Sequence, residues 1–266
     1  MIYRPLGSTG IDVPVIALGS VKIGRNQGVK YPQPFDLPDD EAVIALLQTA
    51  RETGINLVDT APAYGNSEQR LGELLSRAGG EWLVSTKAGE SFDEAGQSSF
   101  DFSPEAIRAS VERSLRRLRL ETLDLVLVHS DGNDLDVLAS GALDALKTCR
   151  DEGLIRACGL SGKTVAGGLA ALESGADAVM VTSNLAYDEE RPVIDRAHEL
   201  KRGVLIKKAL NSGHLALSAT AAQASIEHSL GIPGVSTLVI GTLSPDRLRQ
   251  NAEVAVAAAN HVSSES

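Results

Sequence analysis

Asp59, Tyr64, Lys87 and His129 stand at, or a few residues beyond, the ends of short apolar runs. Singly, each has a structural explanation. Asp59 can cap a turn, Lys87 can end a strand in solvent, and His129 can be a satisfied histidine on a rim. Together they hold a proton donor, a cation to tune it, a carboxylate to hold that cation, and an imidazole. A phenol with its ordinary pKa of about 10 is a poor acid or base at neutral pH until a nearby ammonium stabilises its phenolate. The ammonium needs a carboxylate partner to stay charged inside a protein, and Asp59 supplies one. Such a set can protonate a carbonyl oxygen while hydride reaches the carbon.

The elements that must position these groups follow from hydrophobic patterning. From residue 15 onward, short apolar runs alternate with longer segments of helical period. The candidate strands are Val15–Leu18, Asn56–Asp59, Leu83–Lys87, Leu123–His129, Ala157–Ser161, Ala178–Thr182, Val204–Lys207 and Leu238–Gly241. None alternates cleanly between polar and apolar, which predicts strands covered on both faces, as in a parallel sheet. Helix starts are marked by Pro38-Asp39-Asp40-Glu41, Ser103-Pro104-Glu105 and Ser244-Pro245-Asp246, with N-cap residues, acidic first turns and proline at the first helical position.

Eight strands, each followed by a helix, fit a (β/α)₈ TIM barrel, with an open doubly wound sheet as the alternative. Residues 2–12 lie outside the repeat, and the Gly7-Ser8-Thr9-Gly10 turn predicts an N-terminal β-hairpin closing the barrel bottom. No proline- or glycine-rich linker divides the chain, so residues 1–266 are read as a single domain. On a barrel the four residues converge on one mouth from three neighbouring strands. Most aromatics also follow strands: Tyr31, Phe35, Tyr64, Phe92, Phe100, Phe102 and Tyr187. Either they bind something flat or apolar there, or they pack long loops onto the rim.

Composition narrows the partners. The 266 residues suffice for a substantial core, and 43% hydrophobic with 23% charged residues argues against a mainly disordered chain. A formal net charge of −10 leaves no basic footprint for nucleic acid or an anionic membrane. Cys149 and Cys158 cannot build a disulfide framework, the first residues lack an apolar signal core, and no apolar run spans a bilayer; a cytoplasmic location is expected. Gly159-Leu160-Ser161-Gly162-Lys163-Thr164 mimics the tail of a P-loop but has Ala157 where the loop needs glycine. Arg113, Arg116, Arg117 and Arg119 share a helical segment with Glu112 and read as a solvated face making local ion pairs. His198, His214, His228 and His261 show no metal-ligand spacing, so no metal is expected.

The stretch Gly54-Ile55-Asn56-Leu57-Val58-Asp59-Thr60-Ala61-Pro62-Ala63-Tyr64-Gly65 resembles the signature of the aldo-keto reductases, and Ser67-Glu68-Gln69-Arg70-Leu71-Gly72-Glu73-Leu74-Leu75 continues it. Ser85-Thr86-Lys87 and Val128-His129 add to the likeness, which runs from Tyr3-Arg4-Pro5-Leu6-Gly7-Ser8-Thr9-Gly10 through the last helix. The resemblance implies an NAD(P)H-dependent carbonyl reductase on a barrel without a Rossmann domain, and no Gly-x-Gly-x-x-Gly follows any strand here. It implies that Tyr64 is the general acid, Lys87 lowers its pKa, Asp59 pairs with Lys87, and His129 orients the carbonyl.

It also places Ser161 and Asn184 where the family holds the nicotinamide carboxamide. Gly162 stands where relatives commonly have asparagine, Met180 where they use glutamine, and Lys207 near a ring-stacking side chain that is often aromatic. The segment Gly241 to Asn251 resembles the grip on the adenosine end. Thr242 and Ser244 would receive the 2′-phosphate with Arg247 near it, Gln250 and Asn251 belong to the same segment, and Gly241 replaces a basic residue of several relatives. An Arg247 contact of about 1.5–3 kcal/mol favours NADPH over NADH roughly ten- to hundredfold, so NADP(H) is the expected cofactor. A small-molecule carbonyl is the expected substrate, shaped by Val21–Pro38 and the loops after strands three, four and seven, and a monomer is the expected state. Two rivals stay open: a Schiff-base aldolase or isomerase using Lys87 or Lys207, and a non-catalytic nucleotide-binding subunit.

Overall fold

In the computed structural model, which describes residues 1–93 and 95–264 and side chains through 260, the chain opens with β1 (Tyr3–Pro5) and β2 (Asp12–Pro14), paired antiparallel. Their turn has to lie flat on the barrel. Gly7 takes φ 58°, and a Cβ there would sit 2.5 Å from the backbone nitrogen of Gly203, a contact only glycine avoids. The hairpin inserts Leu6, Ile11 and Val13 into one apolar cluster with the inward side chains Ala17, Leu57, Leu125, Leu127, Ala157, Met180 and Leu205. It plugs the bottom of the barrel, as the turn chemistry predicts.

β3 (Ile16–Gly19), β4 (Leu57–Asp59) and β5 (Leu83–Ala88) begin the parallel sheet. β6 (Glu90–Phe92) and β7 (Ser98–Phe100) form a separate antiparallel ribbon. β8 (Leu123–His129), β9 (Ile155–Ser161), β10 (Ala178–Thr182), β11 (Gly203–Lys207) and β12 (Thr237–Ile240) complete a closed eight-stranded barrel. The outward side chains, among them Ile16, Val58, Val84, Val126, Val179, Val204 and Leu238, belong to a second cluster shared with the helices. Both faces are apolar, which is why these strands do not alternate in polarity.

The helices are α1 (Val21–Gly24), α2 (Asp40–Glu52), α3 (Ser67–Ala78), α4 (Pro104–Leu118), α5 (Asp134–Ala139), α6 (Ala142–Asp151), α7 (Val165–Glu173), α8 (Arg191–Glu199), α9 (Ala219–Leu230) and α10 (Pro245–Ser264). Caps fall where the sequence marks them. Asp39 accepts from the Ala42 amide at 2.8 Å, Ser103 from Ala106 at 3.4 Å, and Ser244 from Arg247 at 3.3 Å. The β6–β7 ribbon, by contrast, lies in a segment the sequence presents only as a loop. Register delivers the chemistry. Asp59 lies opposite Ser85 and Lys87 opposite Leu127, and His129 pairs with Ser161, so all four strands end at one mouth. Among the described residues, no helix is long and apolar enough to cross a membrane.

Candidate active site

Among the described residues Lys87 has the largest fully buried side chain, only 1% exposed, and its ammonium is fully engaged. Nζ donates to Asp59 Oδ1 at 2.9 Å and Oδ2 at 2.8 Å, and to the Thr60 carbonyl at 2.8 Å. Ser85 Oγ donates to Asp59 Oδ1 at 3.0 Å. Burial alone pulls the Lys87 pKa down, but Asp59 and the nearby phenol more than reverse it, so the ammonium is held above the ordinary lysine value.

Tyr64 reaches the same point from the turn after β4. Gly65, at φ 62°, brings that turn against α1, where a Cβ would sit 2.1 Å from the Gly24 carbonyl oxygen. The Tyr64 ring centroid is 4.8 Å from Lys87 Nζ and 6.3 Å from the His129 ring, edge-on at 89°. Burial raises the Tyr64 pKa, Lys87 lowers it, and the Asp59 and Glu90 carboxylates oppose Lys87, so the phenol ends above its ordinary value. Lys87 itself acts in the direction the resemblance implies, and burial with the two carboxylates outweighs it. The Lys87–Asp59 pair is neutral as a unit, so its field at the phenol is weaker than that of a lone ammonium.

His129 is buried on the Nδ1 side, where Glu90 Oε2 approaches to 2.9 Å, off the line of a directed hydrogen bond. Burial and the Lys87 and Lys207 charges outweigh Glu90, and the His129 pKa falls below its usual value. Glu90 is itself disfavoured as an anion by burial, yet His129, the Ser98 hydroxyl at 2.7 Å and Arg25 hold its carboxyl below the ordinary range. Sequence reasoning missed Glu90; a carboxylate three residues past Lys87 was the available signal, but only the ribbon turns it toward His129. Glu90→Gln is expected to move the His129 titration further down, checked by NMR of the imidazole. An unmoved titration would remove the coupling.

A cleft of about 860 Å³ opens over these groups, within the range of a ligand pocket. Asp59, Tyr64, Lys87, His129, Ser161, Lys207, Gly241, Thr242, Arg247, Gln250 and Asn251 all line it. So do Lys22, Arg25, Lys30, Lys163 and Lys208, which gather cations on one face of an otherwise acidic protein. That donor set suits a polyphosphate ligand with an uncharged head, and therefore fits a nicotinamide dinucleotide.

The sequence model of the aldo/keto reductase family matches residues 15–216. The chain belongs to the aldo-keto reductases. It is 32% identical over 240 residues to the D-threo-aldose 1-dehydrogenase of a Pseudomonas species, covering 79% of this chain and 70% of that one. It is 33% identical over 168 residues to the NADH-specific methylglyoxal reductase of Escherichia coli, covering 58% of this chain and 50% of that protein. This chain thus spans about half the length of that relative. Among solved structures, a protein from Pseudomonas aeruginosa assigned to the aldo-keto reductases superposes with a TM-score of 0.87 at 50% identity, over 97% of this chain and 95% of that one.

Against the family pattern, three residues fall away from the cleft. Asn184 is buried in its own loop, where Oδ1 accepts from the Ala186 amide at 2.9 Å and Nδ2 donates to the Lys208 carbonyl at 3.0 Å. It braces the loop after β10 and is not among the residues lining the cleft. Ser244 caps α10, and its amide donates to Thr242 Oγ1 at 3.1 Å, so it builds the helix start instead of lining the cleft. Gly162 is present through its carbonyl, which accepts from Lys207 Nζ. Lys207 also donates to Ser161 Oγ at 3.2 Å, so this side chain is drawn toward β9 by hydrogen bonds.

A Cβ at Gly241 would lie 3.3 Å from the Gly19 carbonyl oxygen, a tight contact, with the Tyr31 hydroxyl in ordinary contact at 3.4 Å. Tyr31 is pushed up to about 12 by burial and stacks edge-on with Phe35 at 5.5 Å, with Lys22 Nζ 4.2 Å from its centroid. Phe92 lies under Arg25 at 3.6 Å, and Phe100 packs near Phe102 at 6.0 Å. Among the described residues only Tyr31 and Tyr64 are aromatics that line the cleft, so the others serve the rim.

The P-loop mimic is filled from within: Asp134 accepts from the Lys163 and Thr164 amides, each at 2.8 Å, leaving those donors no phosphate to cradle. The arginine run is corrected too. Arg117 reaches the fully buried Glu68 at 3.3 Å, and Arg119 reaches Glu73 at 2.7 Å, so these pairs tie α4 to α3 rather than staying local. No three His, Cys, Asp or Glu side chains among the described residues are grouped to hold a metal; that of His261 lies outside them.

Proposed function

We propose that this aldo-keto reductase reduces small aldehydes or ketones to alcohols with NADPH, and that Tyr64 protonates the carbonyl oxygen. The observation that carries the reading is a buried ammonium, gripped by Asp59 and Thr60, set beside a phenol that opens into a cation-lined cleft. When bound, the reduced nicotinamide supplies a hydride.

The chain's own residues do the rest. A raised pKa keeps Tyr64 protonated at neutral pH, so the proton is in place before the carbonyl arrives. As that proton leaves, Lys87 faces the developing phenolate and stabilises it, at a site where screening by water is weak. Asp59 keeps Lys87 charged. His129, neutral by virtue of its lowered pKa, sits edge-on to the phenol and fixes the carbonyl between them. The Ser161 hydroxyl accepts from Lys207, so its own proton is free for a carboxamide oxygen.

At the other end, Arg247 and Lys22 lie close enough to repel one another, a pairing that a 2′-phosphate would relieve. Arg247→Ala is expected to weaken NADPH binding about tenfold, the lower end for an exposed charge-assisted contact, and to leave NADH unchanged. Equal dissociation constants for the two cofactors in the wild type would remove this role. A Schiff-base reading has little support at Lys87, whose nitrogen is an ammonium spent on Asp59 and Thr60.

The test of the whole reading follows NADPH absorbance against aldehydes and ketones that include aldoses and methylglyoxal, the compounds named for the relatives. Tight NADPH binding with no consumption across the panel would sink it in favour of a catalytically silent binding protein.

A further inference from the structure

Resting on the nicotinamide reading above, we propose that Lys207 discriminates between the two redox states of the cofactor, favouring the uncharged reduced ring over the cationic oxidised one. Lys207 ends β11 at the barrel mouth and lines the same cleft as Tyr64 and His129. Its Nζ reaches past β10 to two neutral acceptors at the end of β9, Ser161 Oγ at 3.2 Å and the Gly162 carbonyl. Met180, the residue on β10 where relatives commonly use glutamine, is 2% exposed and adds no polar group of its own except a thioether. The contrast with Lys87 is the point. Lys87 is neutralised by Asp59 at 2.8 Å, whereas among the described residues no carboxylate comes within ion-pair distance of Lys207.

The charges around Lys207 act in both directions. Glu190 before α8 and Asp134 on α5 favour its charge, while Lys208 beside it and Lys87 on β5 oppose it. Burial is the largest influence and brings it down to about 8, so at neutral pH it remains mostly an ammonium. Its field reaches His129 on β8, whose pKa it helps to lower. Any ring that delivers hydride to a carbonyl held by Tyr64 and His129 must lie within that same field. A positive ring there meets an unneutralised cation at low effective dielectric; a neutral ring does not.

NADPH and NADP⁺ share the adenosine, the 2′-phosphate and the pyrophosphate, so contacts at those groups cancel in the ratio of their affinities. Calorimetric titration of the full chain with each form, from about pH 6.5 to about pH 9.5, reads the ring alone. Deprotonation of Lys207 removes the repulsion, so wild-type affinity for NADP⁺ is expected to rise as pH passes through about 8, while that for NADPH stays level. Lys207→Met is expected to narrow the preference for NADPH over NADP⁺ by about tenfold and to flatten the pH dependence. Lys207→Arg is expected to retain the preference with no pH dependence, since arginine does not titrate in this range.

A wild-type NADP⁺ affinity that is flat with pH overturns the proposal without any variant. So does a Lys207→Met ratio within about twofold of wild type. If wild type binds neither form, the nicotinamide reading itself fails and takes this one with it.

Discussion

Tyr64→Phe is expected to cut carbonyl reduction by about 10²–10⁴-fold while NADPH binding and the melting temperature stay close to wild type. The substitution deletes one hydroxyl and keeps the ring, so the edge-on contact with His129 and the approach of Lys87 to the ring survive. What disappears is the proton donor that stands beside His129 and faces the Lys87 ammonium. His129 cannot replace it, since a lowered pKa leaves the imidazole neutral. The sign of the Tyr64 shift gives the pH profile. A phenol raised above its ordinary value stays protonated throughout the neutral range, so reduction is expected to be level there and to fall only under strongly alkaline conditions. Steady-state rates beside calorimetric binding constants decide it. Ordinary turnover by a variant that still binds cofactor would leave Tyr64 without its role.

The framework of this site was legible from residue patterns for a physical reason. A barrel strand is buried on both faces, so β4, β5 and β8 stand out as short apolar runs, and Asp59, Lys87 and His129 mark where those runs end at the mouth. Caps are equally local: Asp39, Ser103 and Ser244 each satisfy an amide three residues ahead. Interactions set by distant pairing were not legible. Glu90 reaches His129 only because β6 folds back on β7, a pairing with no hydrophobic face to announce it. Asn184 carries a familiar residue type, yet one end of its amide is bound at Ala186 in its own loop and the other at Lys208 beyond β11. Lys207 illustrates the reverse. Its position was identifiable, but the direction of its side chain depends on acceptors at Ser161 and Gly162, two strands away. The net direction of the Tyr64 shift was not legible because the sequence shows the neighbouring ammonium and hides the burial and the carboxylates that oppose it.

Removing one half of the Lys87–Asp59 pair is expected to cost far more stability than removing both. The two side chains are 1% and 3% exposed, so Lys87→Met strands a carboxylate that keeps only the Ser85 hydroxyl, at a cost of about 3–5 kcal/mol. For a chain of this size that corresponds to a fall in melting temperature of roughly 10 °C. Asp59→Leu strands an ammonium with the Thr60 carbonyl alone and is expected to fall comparably. The double variant, Lys87→Met with Asp59→Leu, buries no charge and is expected to recover most of the loss, because desolvating two ions offsets much of what their attraction returns. Activity is expected to stay lost in all three: two lack the ammonium facing Tyr64, and in Asp59→Leu that ammonium has lost the carboxylate that keeps it charged.

Alkaline pH separates the pair's stability from its chemistry. Lys87 is held above the ordinary lysine value of 10.5, so its contribution is complete below that value and disappears only as pH climbs through the higher folded-state value. At neutral pH the wild type and the double variant should therefore melt within a few degrees of each other, and only the wild type should turn over. If Lys87→Met instead melts like the wild type, the buried pair is not holding this mouth together, and Lys87 has no anchored charge with which to stabilise a phenolate.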